Sequence, residues 1–238
     1  MAKANTRPGG VAKNRLLAHL TTDERDALAA KLETVSLSRG TVLYEQGSAV
    51  SSVYFPLSAV ISLLTILEDG SSVEVATIGD EGVVGLAAYL ELDRAVVTAI
   101  VQFPGEALRI DARQFSALLT PRGRFHSVLR RYTRALLWQI TRSAGCNRFH
   151  SLEQRCARWL LSAQDHAMKD DLPLTHEFLS GMLGASRQAT GVIIERLENA
   201  LLIQTSRGTL RILNRQGIER LACECYRAVK DDMDSFLS

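Results

Sequence analysis

The sequence predicts an α+β chain in two parts, a roll of short β-strands and then a set of helices, joined by one long helix. Three observations lead there. Between about residues 35 and 110, apolar residues recur with period two and are punctuated by glycine roughly every ten residues. From Arg124 to about Arg142 the period changes to near 3.6. Finally, Leu174 to Asn199, LTHEFLSGMLGASRQATGVIIERLEN, reads as two amphipathic helices across a very tight turn.

A chain of 238 residues can bury two modest cores, and 46% hydrophobic with 23% charged residues is ordinary for a globular protein. The net charge of +2 hides an asymmetry. Lys and Arg number 10 against 14 Asp and Glu in residues 1–120, 15 against 7 in residues 121–215, and 3 against 5 beyond. The basic excess therefore coincides with the helical pair, as a polyphosphate partner requires, because neutralised phosphates release counterions. No apolar run is long enough to span a bilayer and the first residues lack a secretory apolar stretch, so a cytoplasmic location and no membrane partner are expected. Cys146, Cys156, Cys223 and Cys225 then fit reduced thiols.

Taken in order, residues 1–15 are polar and basic around Pro8, Gly9 and Gly10 and are expected to form a loose arm. A short helix follows, capped by Thr21 or Thr22, with Leu28, Ala29 and Leu32 at helical spacing. Strands are predicted over residues 35–37, 41–44, 52–55, 60–67, 72–78, 95–101 and 106–110. Seven short strands with regular turns imply a sandwich or barrel-like roll. After a brief helix over residues 111–119, Pro121 is placed to open the long helix. Its seam is Phe125, Val128 or Leu129, Tyr132, Leu136, Gln139 and Ser143. That seam suits either packing against its own domain or pairing with a twin, and Gly145 is expected to end it. Ser151 and Gln154 then form a capping box, with Leu152, Cys156, Trp159 and Leu160 inward.

In the helical pair, Thr175 caps the first helix, Gly184 stops it and Ser186 caps the second. Leu179, Leu183, Ala185, Ile193 and Leu197 fall where the helices meet, and Thr190 is the one weak core position. The second helix presents Arg187, Gln188, Val192, Glu195 and Arg196 along one stripe. Arg bonds guanine bidentately, Gln bonds adenine, and Val can touch a thymine methyl. Leu201 to Asn214, LLIQTSRGTLRILN, reads as a β-hairpin with its tip at Arg207 and Gly208 and further positive charge at Arg211.

The Leu-Gly-Ala-Ser-Arg-Gln turn, the following helix, Leu-Glu-Asn, Leu-Ile and the basic wing resemble the winged helix of the Crp/Fnr family of bacterial transcription regulators. Arg39-Gly40 to Gly47, Val53-Tyr54-Phe55 and Gly79-Asp-Glu-Gly82-Val-Val-Gly85 resemble, in order, the cyclic-nucleotide-binding β-roll of the same family. The resemblance covers roughly residues 20 to 222. It implies a roll of the double-stranded β-helix or jelly-roll type, a dimerisation helix seamed by Phe125, Leu129, Tyr132 and Leu136, and a winged helix-turn-helix. The expected limits are an arm over 1–15, the roll over 16–120, the dimer helix over 121–145, the DNA-binding domain over 146–222 and a helical tail over 223–238.

By the same resemblance, Thr175, Ser186, Arg187, Gln188, Val192, Arg196, Arg207 and Arg211 would contact double-stranded DNA, with Arg187 and Gln188 on bases and Ser186, Arg207 and Arg211 on phosphates. An effector would lie among Val75, Gly85, Leu86, Arg94 and Val97. Members that bind cyclic AMP carry Gly-Glu on a short helix and an Arg-Ser or Arg-Ala phosphate clamp. Here Leu86 follows Gly85 and the clamp falls at Val96 or Val97, with Arg94 just before the strand. Cyclic nucleotides are therefore not expected as effectors. No cofactor is expected: the five histidines are scattered, no phosphate loop or nucleophile elbow is present, and the family's N-terminal iron–sulfur cysteines and any haem motif are missing. The Cys223-x-Cys225 pair reads as packing or exposed thiols, not a metal site. The expected protein is a homodimeric DNA-binding regulator and not an enzyme, with room for RNA polymerase and an unidentified small molecule as partners. The competing reading, a cyclic-nucleotide module that recruits protein, is opposed by the basic wing and by Arg187 and Gln188.

Overall fold

The computed structural model describes residues 8–237 and has the predicted α+β architecture. It divides into two compact units, one formed by residues up to Thr65, Ala76–Leu137 and the chain from Met233, the other by Ile66–Val75 and Trp138–Asp232.

The first unit opens with helices α1 (Pro8–Val11), α2 (Arg15–Ala18) and α3 (Thr22–Ala29). Residues 1–7 of the expected loose arm lie outside the described residues, but from Pro8 the expectation fails. Val11 and Asn14 are fully buried. Asn14 caps α2 by accepting from the Leu17 amide at 3.1 Å, and its Nδ2 donates to the Pro56 and Gly82 carbonyls at 2.9 and 3.1 Å. A polar segment is thus fixed by one buried amide whose capacity is nearly filled, a role that hydrophobic patterning cannot reveal. Thr21 and Glu24 form a capping box on α3, and Glu24 also accepts from the Phe125 amide at 3.0 Å.

Two antiparallel sheets make the roll. Strands β1 (Glu33–Leu37), β7 (Gly105–Asp111) and β3 (Ser52–Pro56) form one in the order β1-β7-β3. Strands β2 (Val42–Tyr44), β6 (Thr98–Phe103), β4 (Val60–Ile66) and β5 (Ser72–Ile78) form the other in the order β2-β6-β4-β5. Val53, Phe55, Ile61, Ile78, Val101, Leu108 and Ile110 are buried in the core. Strand β6 starts at Thr98, three residues later than predicted. Ala95 instead exchanges backbone bonds with Gly47 and Ser48, and Val96 projects 69% exposed.

Helix α4 (Ala112–Ala117), capped by Asp111, carries Phe115, whose ring lies 6.2 Å from Phe55 and edge-on at 5.6 Å from Phe125. Phe125 opens α5 (Arg124–Phe149), so these rings seat the helix on the roll. Tyr132 donates to the Val83 carbonyl, and a Cβ at Gly82 would fall 2.5 Å from its hydroxyl. Phe125, Leu129, Tyr132 and Leu136 are all buried within one protomer. This corrects their assignment to a dimer seam: periodicity identifies a buried stripe without saying what covers it. Leu137 and Trp138 are the exposed large apolar side chains of the helix before Phe149. Gly145 does not end α5, which continues in α conformation to Phe149. One mid-helix glycine costs only about 1 kcal/mol, and Cys146, 1% exposed, anchors the next turn.

In the second unit, Ser151 and Gln154 close the predicted capping box on α6 (Leu152–Ala167), whose Cys156, Trp159 and Leu160 are buried. Strand β8 (Asp171–Leu172), only two residues long and without a sequence signal, pairs with the hairpin β9 (Ile203–Ser206) and β10 (Thr209–Ile212) in the order β8-β10-β9. Helices α7 (His176–Leu183) and α8 (Arg187–Asn199) precede the hairpin, and α9 (Arg215–Leu221) and α10 (Cys225–Leu237) follow it. Helix α10 is pinned at Asp165 of α6, which accepts from Tyr226 at 2.7 Å and Lys230 at 2.9 Å and pairs with Arg215 at 2.9 Å. Burial pushes that carboxyl up, but these partners outweigh burial and hold it below the usual range.

Candidate nucleic-acid interface

The turn between α7 and α8 follows from three residues. Thr175 caps α7 by accepting from the Phe178 amide at 3.2 Å. Gly184 ends α7 at φ 60°, a left-handed conformation that costs glycine nothing. Ser186 caps α8 through the Ala189 amide at 3.1 Å. Two adjacent stops this close force the helices to cross and share a core, where Leu179, Leu183, Ile193 and Leu197 are buried. Arg155 of α6 braces the end of α7 by donating to the Leu183 carbonyl at 3.1 Å.

Thr190 is fully buried and its hydroxyl has no hydrogen-bond partner. An unsatisfied buried hydroxyl costs about 1–3 kcal/mol. Thr190→Val keeps the shape and removes that cost, so it is expected to raise stability by about 1 kcal/mol in urea denaturation.

Arg187, Gln188 and Arg196 are exposed along α8, and Val192 is 44% exposed between them. Arg187 pairs with Glu177 in the first turn of α7. The wing starts on a fixed base, because the Glu198 carboxylate accepts from both the amide and the hydroxyl of Thr205 at 2.8 and 2.7 Å. Those bonds hold the Glu198 carboxyl below its ordinary value. Its tip is Arg207-Gly208, with Arg207 exposed and Gly208 at φ 75°. Arg211 departs from the phosphate role expected of it: it forks onto Asp171 with both contacts at 2.6 Å, so its charge is already matched.

The expected effector residues are more dispersed. Gly85 has φ 98°, and a Cβ there would lie 2.9 Å from the Ser52 carbonyl. Leu86 opens a single 3₁₀ turn to Ala88. Arg94, exposed, donates to the Gly47 carbonyl at 2.7 Å. Val97 is half-buried just ahead of β6, and Val75 is half-buried on β5.

One grouping went unread in the sequence. Cys146 and His150 at the end of α5 meet Cys223 and Cys225 at the junction of α9 and α10, with one ligand-type atom from each inside 4.8 Å of the others. Of the two alternatives expected for Cys223 and Cys225, packing or exposed thiols, the structure has the first, since both are buried. The Cys146 and Cys223 sulfurs are 3.5 Å apart and not disulfide-bonded. Their hydrogen bond and the nearby Arg158 charge draw the Cys146 thiol below its ordinary value, while the same bond drives Cys223 up. Cys156 stands apart, pushed up to about 12 by burial. The available signal was the Cys-x3-His spacing on one helical turn together with Cys-x-Cys.

A family model for the cyclic nucleotide-binding domain matches residues 34–122, and one for the Crp-like helix-turn-helix domain matches residues 154–221. A Crp/Fnr-family transcriptional regulator from Eubacterium rectale is 18% identical with a TM-score of 0.71, covering 88% of this chain and 98% of that one. One from Thermus thermophilus is 21% identical with a TM-score of 0.67, covering 80% and 98%. The c-di-GMP-responsive global regulator CLP of Xanthomonas campestris is 17% identical with a TM-score of 0.66, covering 81% and 99%. At such identities the likeness to these structures is one of fold. No curated protein matches the sequence. A cyclic-nucleotide-binding-type roll followed by a Crp-like helix-turn-helix is the fold of Crp/Fnr-type transcription regulators, and the Eubacterium rectale and Thermus thermophilus relatives are described as transcriptional regulators. The chain belongs to the Crp/Fnr family. Among the described residues, no helix is long and apolar enough to cross a membrane.

Proposed function

We propose that this chain is a homodimeric, sequence-specific DNA-binding transcription regulator in which α8 reads the major groove and the wing holds the backbone. The observation that carries it is the exposed stripe of Arg187, Gln188, Val192 and Arg196 on a helix whose N-terminus is fixed by Ser186, with the basic tip Arg207 on the neighbouring hairpin. Residues at the start of such a helix reach base edges, and wing residues reach phosphates. Thr175 and Ser186, both N-caps, would add backbone contacts, whereas Arg211 would contribute little while Asp171 holds it. Selection of bound fragments from random duplexes, followed by anisotropy titration, tests this. An enriched inverted repeat with half-sites about 34 Å apart is expected, and absence of any enriched sequence would overturn the proposal.

The roll would then answer to an effector other than cyclic AMP or cyclic GMP. A cyclic phosphate leaves water only at high cost unless charged donors replace its hydration. Leu86 offers the ribose no acceptor, Val97 offers the phosphate no cation, and Arg94 is bonded to the Gly47 carbonyl. Two missing charged contacts at about 1.5–3 kcal/mol each weaken a micromolar ligand by about 100- to 10,000-fold, to about 0.1 mM or beyond. Calorimetry is expected to register no micromolar binding. A micromolar dissociation constant abolished by Arg94→Ala would show that Arg94 is the clamp. Cyclic di-GMP, to which the Xanthomonas campestris regulator responds, belongs in the same titration.

A further inference from the structure

We propose that Cys146, His150, Cys223 and Cys225 form a structural zinc site that fastens the end of the long helix α5 to the junction of α9 and α10. The inference rests on side-chain placement in the second unit and is independent of the DNA-binding reading.

Three thiols and one imidazole are a ligand set that zinc takes in closed, four-coordinate structural sites. The spacing suits a single ion. At a zinc–sulfur distance of about 2.3 Å, ligand atoms at the corners of a tetrahedron stand about 3.7 Å apart. Here the Cys146 and Cys223 sulfurs are 3.5 Å apart, the Cys225 sulfur is 3.8 Å from His150 Nδ1, and all four ligand atoms fall within 4.8 Å of one another. A cluster of several irons holds cysteines on different metal atoms and requires a wider cage than this.

The histidine is oriented for the task. Its Nε2 lies 3.2 Å from a Glu224 carboxylate oxygen, so a proton on Nε2 leaves the Nδ1 lone pair free on the side of the Cys225 sulfur, 3.8 Å away. A carboxylate behind a ligating imidazole sets its tautomer and raises its basicity. The charge is also matched. Three thiolates around a divalent ion leave one net negative charge, and Arg155 and Arg158 of α6 lie close enough for their charges to interact with the Cys146 sulfur. Both guanidinium Nε atoms are buried without a hydrogen-bond partner, which leaves positive charge in reserve beside a cluster that becomes anionic when metallated.

Four protein ligands leave no open coordination position, so the site would hold structure and not perform chemistry. It joins residues more than seventy positions apart, and neither pair, Cys146 with His150 or Cys223 with Cys225, could close a site alone. Because apo ligands must be gathered by folding, zinc binding adds to the stability of this unit.

The test is elemental analysis of the full-length protein purified under reducing conditions from zinc-supplemented cells, with cobalt substitution as the spectroscopic readout. One zinc per protomer, and the intense visible bands of tetrahedral cobalt thiolate after exchange, are expected. Cys223→Ser and Cys225→Ser should lose the metal, Cys156→Ala should keep it, and Glu224→Gln should weaken zinc about 10-fold without changing stoichiometry. If the serine variants fold poorly, wild-type protein decides: a chelator should lower its melting temperature and added zinc should restore it. Metal-free protein with a melting temperature indifferent to both would overturn the site. A Cys146–Cys223 disulfide found by peptide mapping in freshly purified protein would overturn it in favour of a thiol redox pair.

Discussion

Arg187→Ala is expected to cost about 1–3 kcal/mol per half-site on the preferred operator and to flatten discrimination at one base pair. Arg187 is the first residue of α8, immediately after the Ser186 cap, where a recognition helix comes nearest to base edges. Its partner Glu177 is no obstacle. Both side chains are about 70% exposed, and exposed ion pairs contribute about 1 kcal/mol or less. Arg207→Ala should behave differently, weakening all sequences alike and lowering the salt slope by about one unit. Binding isotherms for single-base operator variants at several salt concentrations separate the two. Operator selectivity left intact in the Arg187 variant would refute the base-reading assignment.

Leu137→Glu is expected to separate the dimer and, with it, to reduce operator affinity by about 100-fold or more, since two linked half-site contacts become one. Leu137 lies outside the buried stripe of α5. Thr133, Leu137, Ile140 and Ala144 recur at four and three residues, a heptad seam, and Leu137 is 63% exposed. Thr133 turns its hydroxyl back to the Leu129 carbonyl at 2.8 Å, which removes that polar group from the seam. Across a two-fold axis Leu137 would face its own copy, and two carboxylates there would repel. Leu136→Glu is the contrasting variant, for Leu136 is 7% exposed within the protomer and its change should lower thermal stability. Sedimentation that finds Leu137→Glu still dimeric would rule this face out.

Local signals in the sequence are legible where one residue fixes one backbone event. Thr175, Gly184, Ser186, Ser151 and Gly208 each announce a cap or turn, and the helix pair and hairpin follow from them. Signals that depend on distant partners are not. Asn14 gives no sign that its amide spans to Pro56 and Gly82, and nothing in the apolar stripe of α5 distinguishes a protomer's own core from a twin. The Cys and His residues of α5 and of the α9–α10 junction are scattered by chain position and become neighbours only through the fold. Arg211 belongs to the same group, since its engagement depends on Asp171 in a strand too short to leave a pattern.

If α8 reads DNA as proposed, the Glu177–Arg187 pair would have a kinetic consequence for the search for one site among many. A guanidinium at the leading edge of α8 would by itself adhere to any stretch of phosphate, and the time lost on wrong duplex grows with that adhesion. With Glu177 beside it, the cation would reach arbitrary DNA already compensated, and would be released only where a base edge offered a better partner than the carboxylate. Glu177→Gln should therefore tighten binding to random duplex more than to the operator and slow operator location when competitor DNA is present. Stopped-flow association with and without competitor would measure this, and equal rates for the two proteins would show that Glu177 has no such part in the search.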